Sequence, residues 1–173
     1  QIYTLNPLVL VSKTTLQSRG HHITPNCDAT MLAVIDLNGM LNMYRIHREK
    51  FSIVVSPADM VPFERKDVWG VLFAEDNNEM FAVMEKTRMY VFRGLEPEEP
   101  VMSSAHLCKF NSLKIRAINL DDALADPEHP GKDLALDFET KSLRDTREIL
   151  RSVSLKDALQ YVEDHPHPKL WSL

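Results

Sequence analysis

The sequence predicts a mainly β chain that ends in α-helices, and three observations lead to this prediction. First, the segment 80–94 (MFAVMEKTRMYVFRG) is similar to the segment 31–46 (MLAVIDLNGMLNMYRI), at an offset of 49 residues. Second, the first copy contains Asn38-Gly39, a dipeptide that favours a tight hairpin because both residues tolerate positive φ. Third, after the last strand candidate at 134–138 the spacing of apolar residues changes from about two to about three and a half, which indicates helices.

The repeat predicts the architecture. Each copy has a short apolar strand, a turn and a second apolar strand, and a repeat length in the high forties is typical of a propeller blade. We therefore expect partial β-propeller blades followed by the first helices of an α-solenoid. Residues 1–118 are predicted to form the end of a propeller with about two blades, 119–141 a junction with one last strand, and 142–173 the start of the solenoid.

Runs of β-branched and aromatic residues between turn residues predict the strands. The predicted strands are 2–5, 8–15, 31–36, 40–46, 51–55, 68–73, 80–84, 89–92, 106–110, 113–119 and 134–138, with 23–28 leading into 31–36. Bulky residues on both faces of 68–73 indicate a strand in the middle of stacked blades. Two prolines in 47–63 are interpreted as breakers, and the acidic, proline-containing segment 95–100 as a rigid connector without helix or strand.

Two helix starts of the capping-box kind follow near the C-terminal end. Ser142 with Asp145, and Ser154 with Asp157, place an acid at the third helical position, where the helix dipole favours it. The predicted apolar face of the first helix contains Leu143, Thr146, Ile149, Leu150 and Val153, and that of the second contains Leu155, Ala158, Leu159 and Val162. A single helical turn is expected at 121–125.

The segment 165–168 (HPHP) is predicted to end the second helix. Pro168 suits the first turn of a third helix that would hold Leu170 and Trp171, because proline lacks the N–H that this position leaves unbonded. Short helices that pack in pairs are typical of the beginning of an α-solenoid.

Composition and charge exclude several classes of function. The chain has 173 residues and a formal net charge of −5, so it lacks the basic surface that binding to nucleic acid requires. No apolar run reaches the length of a membrane span. The chain starts within a predicted strand and ends in an apolar segment, so we expect it to be part of a longer protein. Cys27 and Cys108 follow no spacing pattern, which suits a reducing compartment.

The sequence assigns no catalytic, cofactor-binding or metal-binding residues, and predicts that the protein is not an enzyme. It contains no glycine-rich phosphate loop and no nucleophile elbow. Three groups of possible metal ligands were considered, and none has the spacing of a zinc site. They are His21, His22 and Cys27; His106 and Cys108; and His165 and His167, where a copper or nickel site is the remaining alternative.

Two features are candidates for binding a partner. The segments 64–67 (ERKD) and 85–88 (EKTR) place mixed charges at strand ends and turns, although a solvated rim would have the same composition. In addition, two blades cannot close a ring and two helices cannot cap a solenoid. We therefore expect unpaired sheet edges and an apolar helix face.

Several long runs resemble the WD-repeat subunits of intraflagellar transport complex A. The runs are 63–69 (FERKDVW), 81–93 (FAVMEKTRMYVFR) and 95–100 (LEPEEP), followed in the same order by 126–130, 142–145 and 163–171. The resemblance extends from about Asn26 to the last residue. It implies the end of a second WD40-type β-propeller and the start of a TPR-like α-solenoid.

The resemblance also implies a function. Members of this family are non-catalytic ciliary scaffolds that act in retrograde transport, cilium assembly and delivery of membrane proteins to cilia. The implied partners are the other complex A subunits, a tubby-like adaptor and ciliary membrane cargo. The implied locations are the cilium (axoneme and basal body), the cytoplasm and the cytoskeleton. Two alternatives remain: a coat-type, coatomer-like vesicle scaffold and a generic WD-repeat protein-binding module.

Overall fold

The computed structural model describes residues 1–48, 53–125, 134–152 and 155–173. Within these ranges the chain is mostly β-sheet with a few helices near its C-terminal end, as the sequence predicts. It divides into two compact units, Gln1–Ser104 and Ala105–Leu173. Part of the predicted strand 51–55, the segment 126–130, Val153 and the predicted cap Ser154 lie outside the described residues. The predicted domain boundaries after 118 and 141 stay predictions.

The first unit begins with a hairpin and continues into a four-stranded antiparallel sheet. The hairpin pairs β1 (Ile2–Leu5) with β2 (Leu8–Ser12). The sheet has the order β3-β4-β5-β8, with β3 at Gly20–Pro25, β4 at Met31–Asp36, β5 at Leu41–Arg45 and β8 at Met60–Arg65. A two-residue pair, β6 (His47–Arg48) with β7 (Ile53–Val54), lies between β5 and β8 in the chain.

A second antiparallel sheet follows directly in the first unit. Its order is β12-β11-β10-β9, and β13 pairs with the opposite end of β11. The strands are β9 (Val68–Phe73), β10 (Met80–Glu85), β11 (Arg88–Arg93), β12 (Glu96–Pro97) and β13 (Val101–Met102). In both sheets four strands pair in the order in which they occur along the chain, which is the meander of a propeller blade.

The two sheets of the first unit share one hydrophobic core. It contains Ala33, Ile35, Leu41, Met43 and Val61 from the first sheet, and Val68, Val71, Phe73, Phe81, Val83 and Phe92 from the second. Phe63 of β8 joins them, since its ring makes edge contacts with Phe81 at 5.4 Å and with Phe92 at 5.1 Å. The apolar residues that periodicity assigned to strands therefore hold two blades face to face.

The second unit contains a three-stranded sheet and the helices. The sheet order is β14-β15-β16, with β14 at His106–Asn111, β15 at Lys114–Ile118 and β16 at Ala135–Glu139. The helices are α1 (Leu120–Ala125), α2 (Lys141–Ser152) and α3 (Leu155–Asp164), and a 3-10 turn follows at Leu170–Ser172. Leu143, Val162 and Leu170 pack with Leu113 in a separate core.

The hairpin at Asn38-Gly39 is confirmed, but its turn differs from the prediction. Gly39 has a φ of 75°, whereas Asn38 does not have a positive φ. Gly39 N–H donates to the Asp36 carbonyl at 3.0 Å and Asp36 N–H donates to the Met40 carbonyl at 2.9 Å. The loop therefore has three residues, a type I turn followed by a left-handed glycine.

Three predictions about strands in the first unit were wrong. Strand β9 lies at the edge of its sheet and Trp69 is 38% exposed, so this strand is not buried on both sides. Strand β8 was not predicted because it contains Pro62, and proline is tolerated there because β8 is an edge strand. The connector 95–100 likewise contributes the two-residue edge strand β12, in which Pro97 is opposite Phe92.

The helix faces also differ from the prediction. Helix α2 begins at Lys141, so Ser142 is buried inside the first turn and does not precede the helix. The buried residues are Ser142, Leu143 and Thr146 in α2 and Ala158 and Val162 in α3. Leu150, Leu155 and Leu159 are exposed. Periodicity correctly located the helices, but the start of α2 was predicted too late and the apolar faces were predicted too wide.

Candidate functional site

The structure brings the two predicted charged segments together at one end of the second sheet. Arg65 Nη2 lies 2.6 Å from Glu85 Oε2, and its Nε donates to the same oxygen at 2.9 Å. Lys86 Nζ lies 3.1 Å from Asp67 Oδ2. We call these four residues the charged turn cluster. It joins the end of β8 to the hairpin between β10 and β11.

The backbone positions this cluster through two turns with unusual dihedral angles. Asp67 and Lys86 are non-glycine residues with φ of 58° and 53°. Lys86 N–H donates to the Asp67 carbonyl at 3.2 Å, so the two turns are joined directly. The Trp69 indole N–H donates to the Lys86 carbonyl at 2.8 Å. These bonds fix the turns that carry Asp67 and Lys86.

The inner and outer ion pairs of the cluster differ in environment. The Arg65 and Glu85 side chains are 29% and 23% exposed, whereas Lys86 and Asp67 are 70% and 56% exposed. The Arg65 guanidinium also lies over the Tyr90 ring, 4.5 Å from its centroid, which adds a cation–π contact. The inner pair is therefore part of the packing between the sheets. The outer pair is the solvated rim that the composition also allowed.

The opposite end of the two sheets is held by a polar network that the sequence did not indicate. Asn26 is buried, and its amide donates to the Asn78 carbonyl at 3.1 Å. The Asn78 amide in turn donates to Asp28 Oδ2 at 2.7 Å. Hydrogen bonds from the Thr30 side chain and from Asn78 lower the pKa of Asp28. No local motif marks these residues, because the bonds connect loops about fifty residues apart.

The Asp36 carboxylate accepts hydrogen bonds within its own hairpin. It accepts from the N–H groups of Asn38 at 2.8 Å and Met40 at 2.9 Å. The bond from the Met40 N–H is the largest cause of a lowered pKa for this buried carboxyl, and burial opposes the shift. This residue therefore has a structural role in the turn and is unsuited to acid catalysis, which needs a raised pKa.

The second unit has its own ion pair, between adjacent strands. Arg116 and Asp137 are directly opposite each other on β15 and β16, with Nε–Oδ1 and Nη2–Oδ2 distances of 2.8 and 3.0 Å. This bidentate pair lowers the pKa of Asp137 and raises that of Arg116. Glu139 pairs with Arg147 of α2 and so joins the sheet to the helix.

The histidines and cysteines that the structure describes do not converge. Among the described residues, no group of three or more His, Cys, Asp or Glu side chains could hold a metal ion. His165 stacks on Tyr161 at 4.3 Å, while His167 Nδ1 accepts from the Lys169 N–H at 3.1 Å. Cys27 and Cys108 are exposed free thiols. Both histidines of the HxH segment thus interact with neighbouring residues at the end of α3.

Exposed apolar surface is present in each unit. In the first unit, Leu5 of the N-terminal hairpin is 90% exposed and Leu8 is 71% exposed. A cavity of about 340 Å³ lies beside the first sheet, and apolar side chains line most of it. In the second unit, Leu155 and Trp171 are 71% and 55% exposed. Within the described ranges, no helix combines the length and the apolar character needed to cross a bilayer.

Consecutive four-strand meanders that pack face to face define the first unit as part of a β-propeller. Comparison with known families agrees: residues 1–139 match the family described as the WDR35 second beta-propeller. The chain belongs to the WD repeat-containing protein 35 family.

Curated relatives support this membership. The whole chain is 44% identical to WD repeat-containing protein 35 of Mus musculus and of Homo sapiens, and 43% identical to that of Rattus norvegicus. It spans 15% of the length of each of these relatives.

One solved structure shows distant similarity. The crystal structure of Kluyvelomyces marxianus Hsv2 is 12% identical, with a TM-score of 0.40 over 58% of this chain and 32% of that chain. Family membership rests on the sequence relatives and not on this structure.

Proposed function

We propose that this chain is part of a non-catalytic scaffold subunit of the intraflagellar transport A complex. The observation that carries the proposal is the 44% identity over the whole chain to WD repeat-containing protein 35 of mouse and human. In this proposal the subunit acts in retrograde ciliary transport, in cilium assembly and in the delivery of membrane proteins to cilia. It resides in the cilium, at the axoneme and basal body, and in the cytoplasm and cytoskeleton.

The arrangement of surfaces supports a scaffold. The four residues of the charged turn cluster pair with each other at one end of the second sheet, and apolar side chains such as Leu5 and Leu8 are exposed. Such surfaces suit contacts with other proteins, since interfaces combine apolar area with a charged rim. The proposed partners are the other complex A subunits, a tubby-like adaptor and ciliary membrane cargo.

A segment exchange tests the proposal in the protein where the function is exerted. The matching 15% of the mouse relative is replaced by this chain, and the tagged chimera is expressed in ciliated cells that lack the mouse protein. We expect the chimera to restore cilium length and to co-precipitate other complex A subunits. Staining is expected at the axoneme and basal body.

A matched control distinguishes misfolding from lost function. A chimera with Phe81→Ala, which removes the centre of the shared core, should lose both restoration and co-precipitation. If the unaltered chimera is stable but recovers coatomer subunits, the coat-type alternative replaces the proposal. Recovery of a ubiquitin ligase would instead favour a generic WD-repeat binding module.

A further inference from the structure

Two Ser/Thr-Pro dipeptides occur in the sequence, Thr24-Pro25 and Ser56-Pro57. This dipeptide is the minimum recognised by proline-directed protein kinases, which bind the substrate as an extended segment. Their pocket for the following residue accepts proline because proline has no N–H that needs a partner. The structure places the two dipeptides in different environments, and this difference determines which hydroxyl a kinase can reach.

Thr24 is held in the first sheet. It lies in β3 opposite Ala33 of β4, and Pro25 lies opposite Leu32. To enter a kinase cleft, this segment would have to leave its ladder, and β3 would separate from β4. Opening of this kind requires disruption of the sheet and is rare.

Ser56 lies in the connection between β7 and β8 and has the extended backbone that a kinase binds, with φ −110° and ψ 149°. Pro57 and Ala58, the next two residues, are exposed. The hydrogen bonds of Ser56 are local: its N–H donates to Asp59 Oδ2 at 3.1 Å, and its carbonyl accepts from the Asp59 N–H at 3.0 Å. Its Oγ accepts from the Ala58 N–H at 3.2 Å.

Release of Ser56 therefore disrupts one 3-10 turn and no sheet ladder. The buried residue on its N-terminal side, Val55, marks where the segment joins the core, whereas Pro57 and Ala58 on its C-terminal side are exposed. Local opening of a single turn is frequent compared with loss of a strand.

We propose that Ser56 is a phosphorylation site for a proline-directed protein kinase and that Thr24 is not. The kinase and a nucleoside triphosphate are the co-reactants. The Ser56 Oγ forms a bond to the γ-phosphorus, the bond from that phosphorus to the β–γ bridging oxygen breaks, and the nucleoside diphosphate leaves with the electron pair. The hydroxyl proton passes to the catalytic aspartate of the kinase.

Phosphorylation of Ser56 would change the 3-10 turn Pro57–Asp59 that this residue caps. Phosphoserine brings a charge of about −1.5 to −2 beside Asp59, so the two acidic groups repel each other and the capping box opens. A basic residue, His47, contacts this turn, since its Nε2 lies 3.1 Å from Asp59 Oδ1. Phosphorylation thereby converts a capped turn beside β8 into an anionic surface loop.

The test is phosphorylation of the purified full chain by a purified mitogen-activated protein kinase with radiolabelled ATP, followed by site mapping by mass spectrometry. We expect at least about tenfold more phosphate on Ser56 than on Thr24, because only Ser56 is released by local opening. Synthetic peptides 19–29 and 53–63 serve as controls for the local sequence, and both should be phosphorylated at comparable rates.

Variants complete the design. Thr24→Ala should retain the labelling, Ser56→Ala should remove it, and Ser56→Thr should restore it at the same position. Circular dichroism confirms that each variant is folded before labelling. Absence of phosphate on Ser56 of the folded chain would overturn the proposal, and so would equal labelling of Thr24.

Discussion

The two copies of the internal repeat place an acidic residue at the same position and use it differently. Asp36 ends β4 in the first copy, and Glu85 ends β10 in the second, 49 residues later. Asp36 bonds the N–H groups of its own turn, while Glu85 extends to Arg65 at the end of the preceding sheet. The acid at this position therefore bonds within its own turn in the first copy and to the preceding blade in the second.

This difference explains why the copies tolerate different turns. The first turn needs Gly39 because its last residue is left-handed, and Asp36 stabilises the type I turn before it. The second has no glycine, and Lys86 adopts a positive φ while its N–H is bonded to Asp67 and its side chain pairs with the same residue. Strain in the second turn is therefore offset by contacts with the connection between β8 and β9.

The largest expected effect comes from truncating equivalent apolar residues in the two copies. Phe81 is 2% exposed and stacks on Phe92 at 4.8 Å, whereas its counterpart Leu32 is half-buried. Phe81→Ala should lower the free energy of unfolding of the first unit by about 4 kcal/mol, and Leu32→Ala by about 2 kcal/mol. Urea unfolding measures both in a Trp171→Phe background, where Trp69 fluorescence reports on the first unit. Equal losses would show that the copies contribute equally to the core.

A smaller effect is expected from the turn glycines. A Cβ at Gly39 would lie 3.2 Å from the Val68 carbonyl oxygen, whereas a Cβ at Gly94 would meet nothing within 4 Å. Both glycines have a positive φ, so Gly94→Ala isolates the backbone cost of about 1 kcal/mol. Gly39→Ala should destabilise the first unit by about 2 kcal/mol or more, because it adds a clash to the same cost. The same fluorescence assay measures the difference, and identical values would argue against the close contact.

The smallest expected effects on stability come from substituting the two acidic residues, Asp36 and Glu85. The pKa of Asp36 is lowered in the folded chain from its ordinary value of 3.8. Its ionised form therefore stabilises the fold above pH 3.8, and this contribution is lost as the pH falls through the lower folded pKa. Asp36→Asn should make the unfolding temperature less dependent on pH in this acidic range. Some pH dependence of the unfolding temperature should remain both in the unaltered chain and in the Asp36→Asn variant, because Asp28 and Asp137 also have lowered pKa values.

Glu85→Gln is the matched substitution in the second copy. Because the Arg65–Glu85 pair is partly exposed, its loss should cost less than about 1 kcal/mol at low salt. In about 1 M salt the difference from the unaltered chain should largely disappear through screening. A loss that is independent of salt would mean that Glu85 acts through packing and not through its charge.

The parts of the fold and of the candidate site that could be predicted are those marked by a local pattern in the sequence. Strands 31–36 and 68–73 were predicted with the observed bounds, since apolar runs between turn residues are local signals. Strand β8 was missed because it contains Pro62. Proline is excluded from central strands but tolerated in edge strands, and whether a strand lies at an edge is set by the arrangement of the whole sheet. The approach of 64–67 to 85–88 was not predictable either. It depends on how the two sheets stack, which no spacing along the chain encodes.

Two of the bonds between the blades lie beyond opposite ends of β4, and this arrangement has a mechanical consequence. The Val68 N–H donates to the Gly39 carbonyl at 2.9 Å beyond one end of β4, and the Asn26–Asn78 bond lies beyond its other end. A force directed along the strands must strain both bonds and the aromatic core together, whereas a force that peels the sheets apart strains one bond before the other. We therefore expect the pair of blades to resist a pulling force along its strands better than a force that peels the sheets apart.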